Sequence, residues 1–269
     1  MYGIFLASAI ALVIGSSFLV LPFLTTSYWV FFVLIPLPLP LFQLQGHLLA
    51  LYYILVVLVI LLSFIWLLKS KKRADSFITL AQVFLATLFF IEAYYLVLRI
   101  FGAGYVVPSP ENLQDHLFKV TNACFHEELI CRVLLLGLPL FFVRAIAGKV
   151  QTFKSYILGG NLKLDAPATF FLILSSLIFA CAHYLLGWDL YKILPAFIAG
   201  LALGYLFLKF GLHISILLHL SFNYLGLVLG AFGTLAPLIV TVIYTFLLFI
   251  GFIYFLKLLR KGAKFYLSM

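Results

Sequence analysis

The sequence predicts an all-α fold, a polytopic membrane bundle of eight or nine transmembrane helices. Its 269 residues are 66% hydrophobic and 9% charged, and the mean hydropathy is +1.24, whereas soluble domains carry about 25% charged residues. The apolar stretches are unbroken over about 20 residues, the length of a helix that spans a bilayer. A β-barrel would instead show alternating segments of about ten residues.

The apolar stretches give nine candidate spans: 3–24, 28–45, 47–68, 76–102, 118–143, 167–187, 190–208, 212–232 and 235–257. The first lacks the charged start and small-residue cleavage site of a signal peptide, so we expect it to be retained as a helix. The second is doubtful as a helix because Ile35–Leu41 has proline at every second position. Each internal proline removes a helix hydrogen bond, so a kinked, re-entrant or interfacial segment is the alternative.

One membrane bundle accounts for the chain, with N-terminal helices in 1–75, a core in 76–258 and a basic tail in 259–269. The three cysteines (Cys124, Cys131 and Cys181) lie in apolar segments and are expected to be small buried residues without a disulfide framework.

The formal net charge of +9 comes from lysines and arginines in loops and at the C-terminus. No aromatic residues are interleaved with them as in a nucleic-acid site, so their expected partners are water and anionic membrane lipids, with no nucleic acid. With nine spans, all of these residues except Arg99, Lys119, Lys192 and the intramembrane Arg132 fall on one side, which is predicted to be cytoplasmic. We expect an integral, multi-pass protein of the cell membrane.

The stretch FHEELICRVLLL places two carboxylates and an arginine inside a candidate span. Each would cost roughly 2.5–3.5 kcal/mol facing lipid at a helix centre, so they must face protein or a polar cavity. Glu128 and Arg132 are four residues apart on one helix face and can pair. Glu127 is turned by about 100° and has no cation three or four residues on. It is either protonated and hydrogen-bonded, or a cavity-facing general base.

Two later spans also carry polar groups at helical spacing. FACAH places Phe179 and His183 on one face, and HLSFN does the same for His219 and Asn223. A lone histidine in an apolar span is more often a core residue than a catalytic one. Three spans together supply a base, imidazoles and an amide, which is sufficient to activate water and bind an oxyanion.

These residues resemble the motifs of a known family. EELICR (Glu127–Arg132) matches E-E-x-x-x-R, FACAH matches F-x-x-x-H and HLSFN matches H-x-x-x-N. All three belong to the CPBP family of CAAX proteases and bacteriocin-processing enzymes, also called Abi, which includes the type II CAAX prenyl endopeptidases. Each motif alone is weak, but the ordered set over about 120–230 is specific. The first 75 residues and the last span lie outside the resemblance.

The resemblance implies an eight-helix intramembrane endopeptidase that uses neither serine nor cysteine. Its substrate would be a membrane-associated peptide or a prenylated, CAAX-type protein. Glu127 and His183 would activate water, while His219 and Asn223 would hold the oxyanion. The supporting residues would be Glu128 and Arg132, which orient groups and balance charge, and Phe179, which braces His183 or simply packs in the core. His126 is not a motif position and is expected to be structural.

Metal dependence and the broader function have alternatives. The family is often labelled a metalloprotease, and Glu127, His183 and His219 would form a legitimate zinc set. No H-E-x-x-H motif is present, and metal-free activation without a cofactor is favoured over zinc. A proton- or ion-coupled transporter would show inverted repeats, but the proline run at 36–40 has no counterpart in the C-terminal half. A peptide-sequestering immunity protein would not need the intact polar set.

The predicted topology bears on the substrate. It places Glu127 and His183 nearer the outer face, whereas prenylated CAAX proteins are cytoplasmic. An inverted orientation, a deep cytoplasmic cavity and a different substrate are the three alternatives.

Overall fold

The computed structural model describes residues 28–35, 37–44, scattered helical positions between 47 and 69, and 73–103, 113–232 and 237–267. The strands are β1 (Tyr28–Ile35) and β2 (Leu37–Leu44). The α-helices are α1 (Arg73–Ile100), α2 (Leu113–Glu128), α3 (Leu138–Ile146), α4 (Phe153–Leu158), α5 (Ala166–Leu185), α6 (Ile193–Phe210), α7 (Leu212–Phe232) and α8 (Pro237–Leu267). A π-helix (Leu129–Gly137) joins α2 to α3, and a 3-10 turn (Leu190–Lys192) precedes α6.

The helical membrane class is confirmed for the part of the chain that carries the motifs. Five described helices are long and apolar enough to cross a membrane: Ala74–Ile100, Val120–Ile146, Ala166–Leu185, Leu190–Phe210 and Pro237–Arg260. They correspond to candidate spans 76–102, 118–143, 167–187, 190–208 and 235–257. Span 212–232 is also helical, as α7. The count of eight or nine is not confirmed, and span 3–24 lies outside the described residues.

Candidate span 28–45, which the sequence leaves doubtful as a helix, is not helical: β1 and β2 form an antiparallel hairpin in which Tyr28 pairs with Leu44 and Ile35 with Leu37. In a strand, the backbone N–H positions of residues two apart face the same edge, so the N–H groups that alternate prolines lack all fall on one edge. A two-stranded ribbon has such an unpaired edge, whereas a helix would lose a hydrogen bond at each proline. Both strands contact α5.

Small residues allow α5 and α6 to pack closely. Gly200 and Gly204 are one turn apart on α6, the spacing by which membrane helices bring their backbones together. A Cβ at Gly200 would lie 3.0 Å from the Cβ of Ser176, and one at Gly204 would lie 2.3 Å from Leu172 Cδ1. This contact fixes α5, which carries Phe179 and His183, against α6.

The far ends of these two helices are tied by the loop after α4. Its amides at Gly160, Asn161 and Leu162 donate to the carbonyls of Phe207, Lys209 and Leu208 at 2.8, 3.1 and 2.9 Å. These bonds satisfy carbonyls that the end of α6 would leave unpaired.

The start of α5 is anchored to the end of α3. Asp165 caps α5 by accepting from the Ala168 amide at 3.1 Å, and Arg144 Nη2 donates to both of its carboxylate oxygens at 3.0 Å. The same Arg144 nitrogen donates to the Lys163 carbonyl at 2.7 Å.

On the outside of the bundle, α8 lies along α1. The Phe89 ring is 5.2 Å from that of Phe252 and 5.6 Å from that of Phe255. Between Leu238 and Leu259, most of the remaining α8 surface is exposed and apolar, as expected of a helix that faces lipid.

We expect Gly137→Ala to destabilise the protein by about 1–3 kcal/mol, the usual cost of overpacking. Its Cβ would lie 2.1 Å from the Tyr156 backbone oxygen, so the π-helix and α4 would have to separate. Thermal unfolding in detergent measures the effect. The matched control is Gly226→Ala, whose Cβ meets nothing within 4 Å; equal melting temperatures for the two variants would refute the close-packing argument.

Asp165 gives a pH-dependent prediction. Burial alone would raise the pKa of its carboxyl, but hydrogen bonds from Arg144 and the Ala168 amide hold the pKa below its usual value. Its stabilisation is therefore present above the unfolded-chain pKa of about 4 and is lost as pH falls through the folded-state pKa. Asn can still cap the helix but loses the charge paired with Arg144, so Asp165→Asn should cost up to about 1 kcal/mol at pH 7, and the difference from wild type should shrink below about pH 4. Asp75→Asn, at an exposed position, is the charge-matched control in the same melting experiment.

Candidate active site

The centre of the polar cluster is the Glu128 carboxylate, which is completely buried at the end of α2. Arg132 Nε donates to its Oε2 at 3.1 Å, which confirms the predicted pair. The Ser215 hydroxyl on α7 donates to the same oxygen and lies 3.0 Å from the Leu203 carbonyl of α6. The other oxygen, Oε1, is 3.1 Å from His219 Nδ1. The π-helix and α7 thus bring side chains to one carboxylate.

The π-helix begins directly after Glu128 and carries Arg132. Both Nη atoms of Arg132 are buried without a hydrogen-bond partner among the described residues. Its guanidinium instead lies over the Phe179 ring, with Cζ 5.4 Å from the centroid. A cation–π contact of this kind stabilises a charge removed from water, so Phe179 supports Arg132 as well as His183.

His219 lies between the two adjacent glutamates. Because Glu128 is paired with a cation and accepts from a hydroxyl, the His219 Nδ1 proton is directed towards it. The opposite ring nitrogen, Nε2, is 3.7 Å from Glu127 Oε2. That distance is too long for a direct hydrogen bond. Glu127 Oε2 itself has no hydrogen-bond partner among the described residues, so it stands beside the imidazole as a free acceptor.

His183 is positioned by its own helix. Its Nδ1 is 2.8 Å from the Phe179 carbonyl four residues earlier. A carbonyl only accepts, so Nδ1 carries the proton and Nε2 is left with a lone pair. The Phe179 ring contacts both imidazoles edge to face, with its centroid 4.6 Å from that of His183 and 5.9 Å from that of His219. One aromatic ring therefore packs against both histidines.

Asn223 lies one turn after His219, but its amide is already engaged. Its Nδ2 is 3.1 Å from the Val120 carbonyl and 3.2 Å from Cys124 Sγ, and it donates to both. These bonds hold α7 against α2, as does the 2.7 Å contact between the Thr121 and Tyr224 hydroxyls. In this conformation, Asn223 would have to exchange a bond before its amide could donate to an oxyanion.

Two neighbours of the motif residues were not identified from the sequence as site residues. Ser215 stands one turn before His219 on the same face of α7, so its i, i+4 spacing was the available signal. Lys192, in the turn between α5 and α6, has its Nζ 4.6 Å from the Trp188 ring centroid. The Trp188 ring in turn contacts that of His183, with centroids 6.2 Å apart.

The cysteines are free, as predicted, with Cys124 and Cys131 buried and Cys181 partly buried.

A separate question is whether the histidines and glutamates suit zinc. Within the described ranges, no three His, Cys, Asp or Glu side chains converge as metal ligands do. The zinc alternative built on Glu127, His183 and His219 therefore gains no support from the placement of these side chains.

A family model matches the segment of the chain that carries the motifs. Residues 110–225 match the family model described as type II CAAX prenyl endopeptidase Rce1-like. All three motifs lie inside that segment, and the match confirms the family resemblance that they indicate. No curated protein and no solved structure is significantly similar to the chain.

We expect Arg132→Met to destabilise the protein by about 3–5 kcal/mol, because it leaves the Glu128 charge buried without its cation. Adding Glu128→Gln should recover part of this loss, since the second change removes the uncompensated charge. Unfolding of the two single variants and the double variant measures the coupling between the side chains. Strictly additive losses would mean that the ion pair does not determine the stability of the site.

Proposed function

From the assignment of residues 110–225 to the Rce1-like family of type II CAAX prenyl endopeptidases, we propose that this integral membrane protein is an intramembrane endopeptidase. It hydrolyses a peptide bond of a membrane-associated substrate, with prenylated CAAX-type proteins as the first class to test. The cell membrane is its proposed location, with lipids as its surroundings. The observation that carries the proposal is the position of His219, with one ring nitrogen towards Glu128 and the other towards Glu127.

The proposed nucleophile is water activated by Glu127 and His183. Glu127 Oε2 has no hydrogen-bond partner among the described residues and is free to accept a proton. His183 Nε2 holds a lone pair because its Nδ1 donates to the Phe179 carbonyl. As water adds to the scissile carbonyl carbon, its proton passes to Glu127 and then to the departing amine when the C–N bond breaks. The products are a carboxylic acid and a new amine terminus.

His219 is the proposed oxyanion donor. For that role its Nε2 must carry a proton and donate it to the oxyanion, while Nδ1 remains 3.1 Å from the Glu128 carboxylate. Asn223 is the second proposed donor, once it exchanges its bond to Val120 or Cys124. Donors already fixed where negative charge develops lower the barrier without reorganisation.

The remaining motif residues hold this arrangement in place. Arg132 balances Glu128, which allows that carboxylate to stay charged and orient His219. Phe179 lies against Arg132 and both histidines. No step in this scheme requires a metal, and we propose water activation without a cofactor.

The test is cleavage of a farnesylated reporter peptide by purified protein. Glu127→Gln and His183→Ala should each lower kcat by about 10²–10⁴-fold, the contribution of a general base. His219→Ala should cost about 10²–10³-fold, as expected for an oxyanion donor. Mass spectrometry of the products identifies the bond that is cleaved.

The matched control is Glu92→Gln, which removes another glutamate within a membrane span but outside the cluster. It should retain wild-type turnover. Wild-type activity in Glu127→Gln would exclude the proposed mechanism, and inhibition by phenanthroline that zinc reverses would replace it with a metal-dependent one.

A further inference from the structure

Lys192 is a cation at the active site that the proposed reaction does not use. It ends the 3-10 turn that follows α5, whose last helical turns carry His183. The turn is fixed locally, because the Asp189 carboxylate accepts from the Tyr191 amide at 3.0 Å and the Lys192 amide donates to the Asp189 carbonyl at 2.9 Å. The position of Lys192 relative to α5 is therefore built into the fold.

The side chain of Lys192 extends towards the motif residues. Its ammonium lies over the Trp188 ring, which is itself in contact with His183, and it interacts electrostatically with both His183 and Glu127. Among the described residues, no carboxylate lies within salt-bridge distance of Lys192 Nζ. A partly buried ammonium that forms no salt bridge with a described carboxylate, next to the proposed peptidase site, is available to bind an anion.

We propose that Lys192 determines substrate specificity by binding a carboxylate of the peptide substrate close to the scissile bond. This inference rests on the proposed peptidase function. An extended peptide advances about 3.3–3.6 Å per residue, so a carboxylate two or three residues from the scissile bond would be roughly 7–11 Å from it. Glu127 cannot bind the substrate carboxylate itself, because its own negative charge would repel that group. Its charge is also needed for water activation.

Two sources could supply that carboxylate: the free C-terminus of the peptide or an acidic side chain near it. A lysine ammonium acts as a compact point charge with three rotatable donors, so it accommodates either source. The two are separated by peptide chemistry, and the experiment therefore uses four versions of one farnesylated reporter. These end in a free carboxylate, in an amide, in an amidated glutamate, and in an amidated glutamine.

Wild-type protein should cleave the free acid with a kcat/KM about 10- to 100-fold higher than the amide, the range expected for a hydrogen bond to a charged group. In Lys192→Met this ratio should collapse to about one, and in Lys192→Arg most of it should remain. A preference for the amidated glutamate over the amidated glutamine would assign the carboxylate to a side chain.

Lys209→Met is the matched control. Lys209 also lies over aromatic rings, those of Tyr205 and Phe210, but at the other end of α6, about 25 Å away at helical rise. It should keep the wild-type preference.

Two results would overturn the assignment: equal cleavage of all four peptides by wild type, or an equal loss on all four peptides in Lys192→Met. The second would indicate a structural or lipid-contacting lysine. If wild type cleaves no peptide, the proposed function fails, and binding of the four intact peptides to wild type and Lys192→Met then decides on Lys192. Tighter binding of a carboxylate peptide that depends on Lys192 would support the inference, and its absence would refute it.

Discussion

The buried charge of Glu128 is the constraint on which the rest of the site depends. A carboxylate without solvent exposure is tolerated only when a cation and hydrogen bonds replace its hydration. Arg132, Ser215 and His219 provide these contacts, and they come from the π-helix and α7, with Ser215 also contacting the backbone of α6. The requirement of one carboxylate therefore fixes the relative position of several elements of the bundle, and the orientation of His219 follows from it.

Local spacing explains which parts of this arrangement the sequence predicted. Glu128 and Arg132 are four residues apart, so their pairing needed only the geometry of a helix. Phe179 and His183 follow the same rule, and the family motifs brought the three polar spans together. Contacts between distant segments are harder to predict: the spacing of Ser215 places it on the same face as His219, but its bond to Glu128 is seen only when α7 lies against α2. The bonds from Asn223 to Val120 and Cys124 are equally invisible in the sequence.

The fold shows a related limit. Hydropathy predicted the helices that carry the motifs, because bilayer thickness sets their length. Hydropathy does not distinguish a helix from two short apolar strands. Residues 28–35 and 37–44 form strands, because alternate prolines fit the edge of a two-stranded ribbon better than a helix. The π-helix was also not predicted. It has the same composition as an α-helix and differs in bonding back five residues instead of four.

Exposure increases in steps across the cluster, and this order agrees with the proposed division between supporting and reactive groups. The Glu128 side chain is 0% exposed, that of His219 is 7% and that of Glu127 is 29%. A group that exchanges protons with water needs access, whereas a group that orients another needs to be fixed. Glu127 is the most exposed of the three side chains, although its Oε2 atom is buried. Two adjacent glutamates can therefore have opposite tasks, because helical rotation turns one inward to Arg132 and the other towards the partly exposed side. Lys192 is also partly exposed and interacts with Glu127, so a substrate approaching the proposed base would meet its positive charge as well.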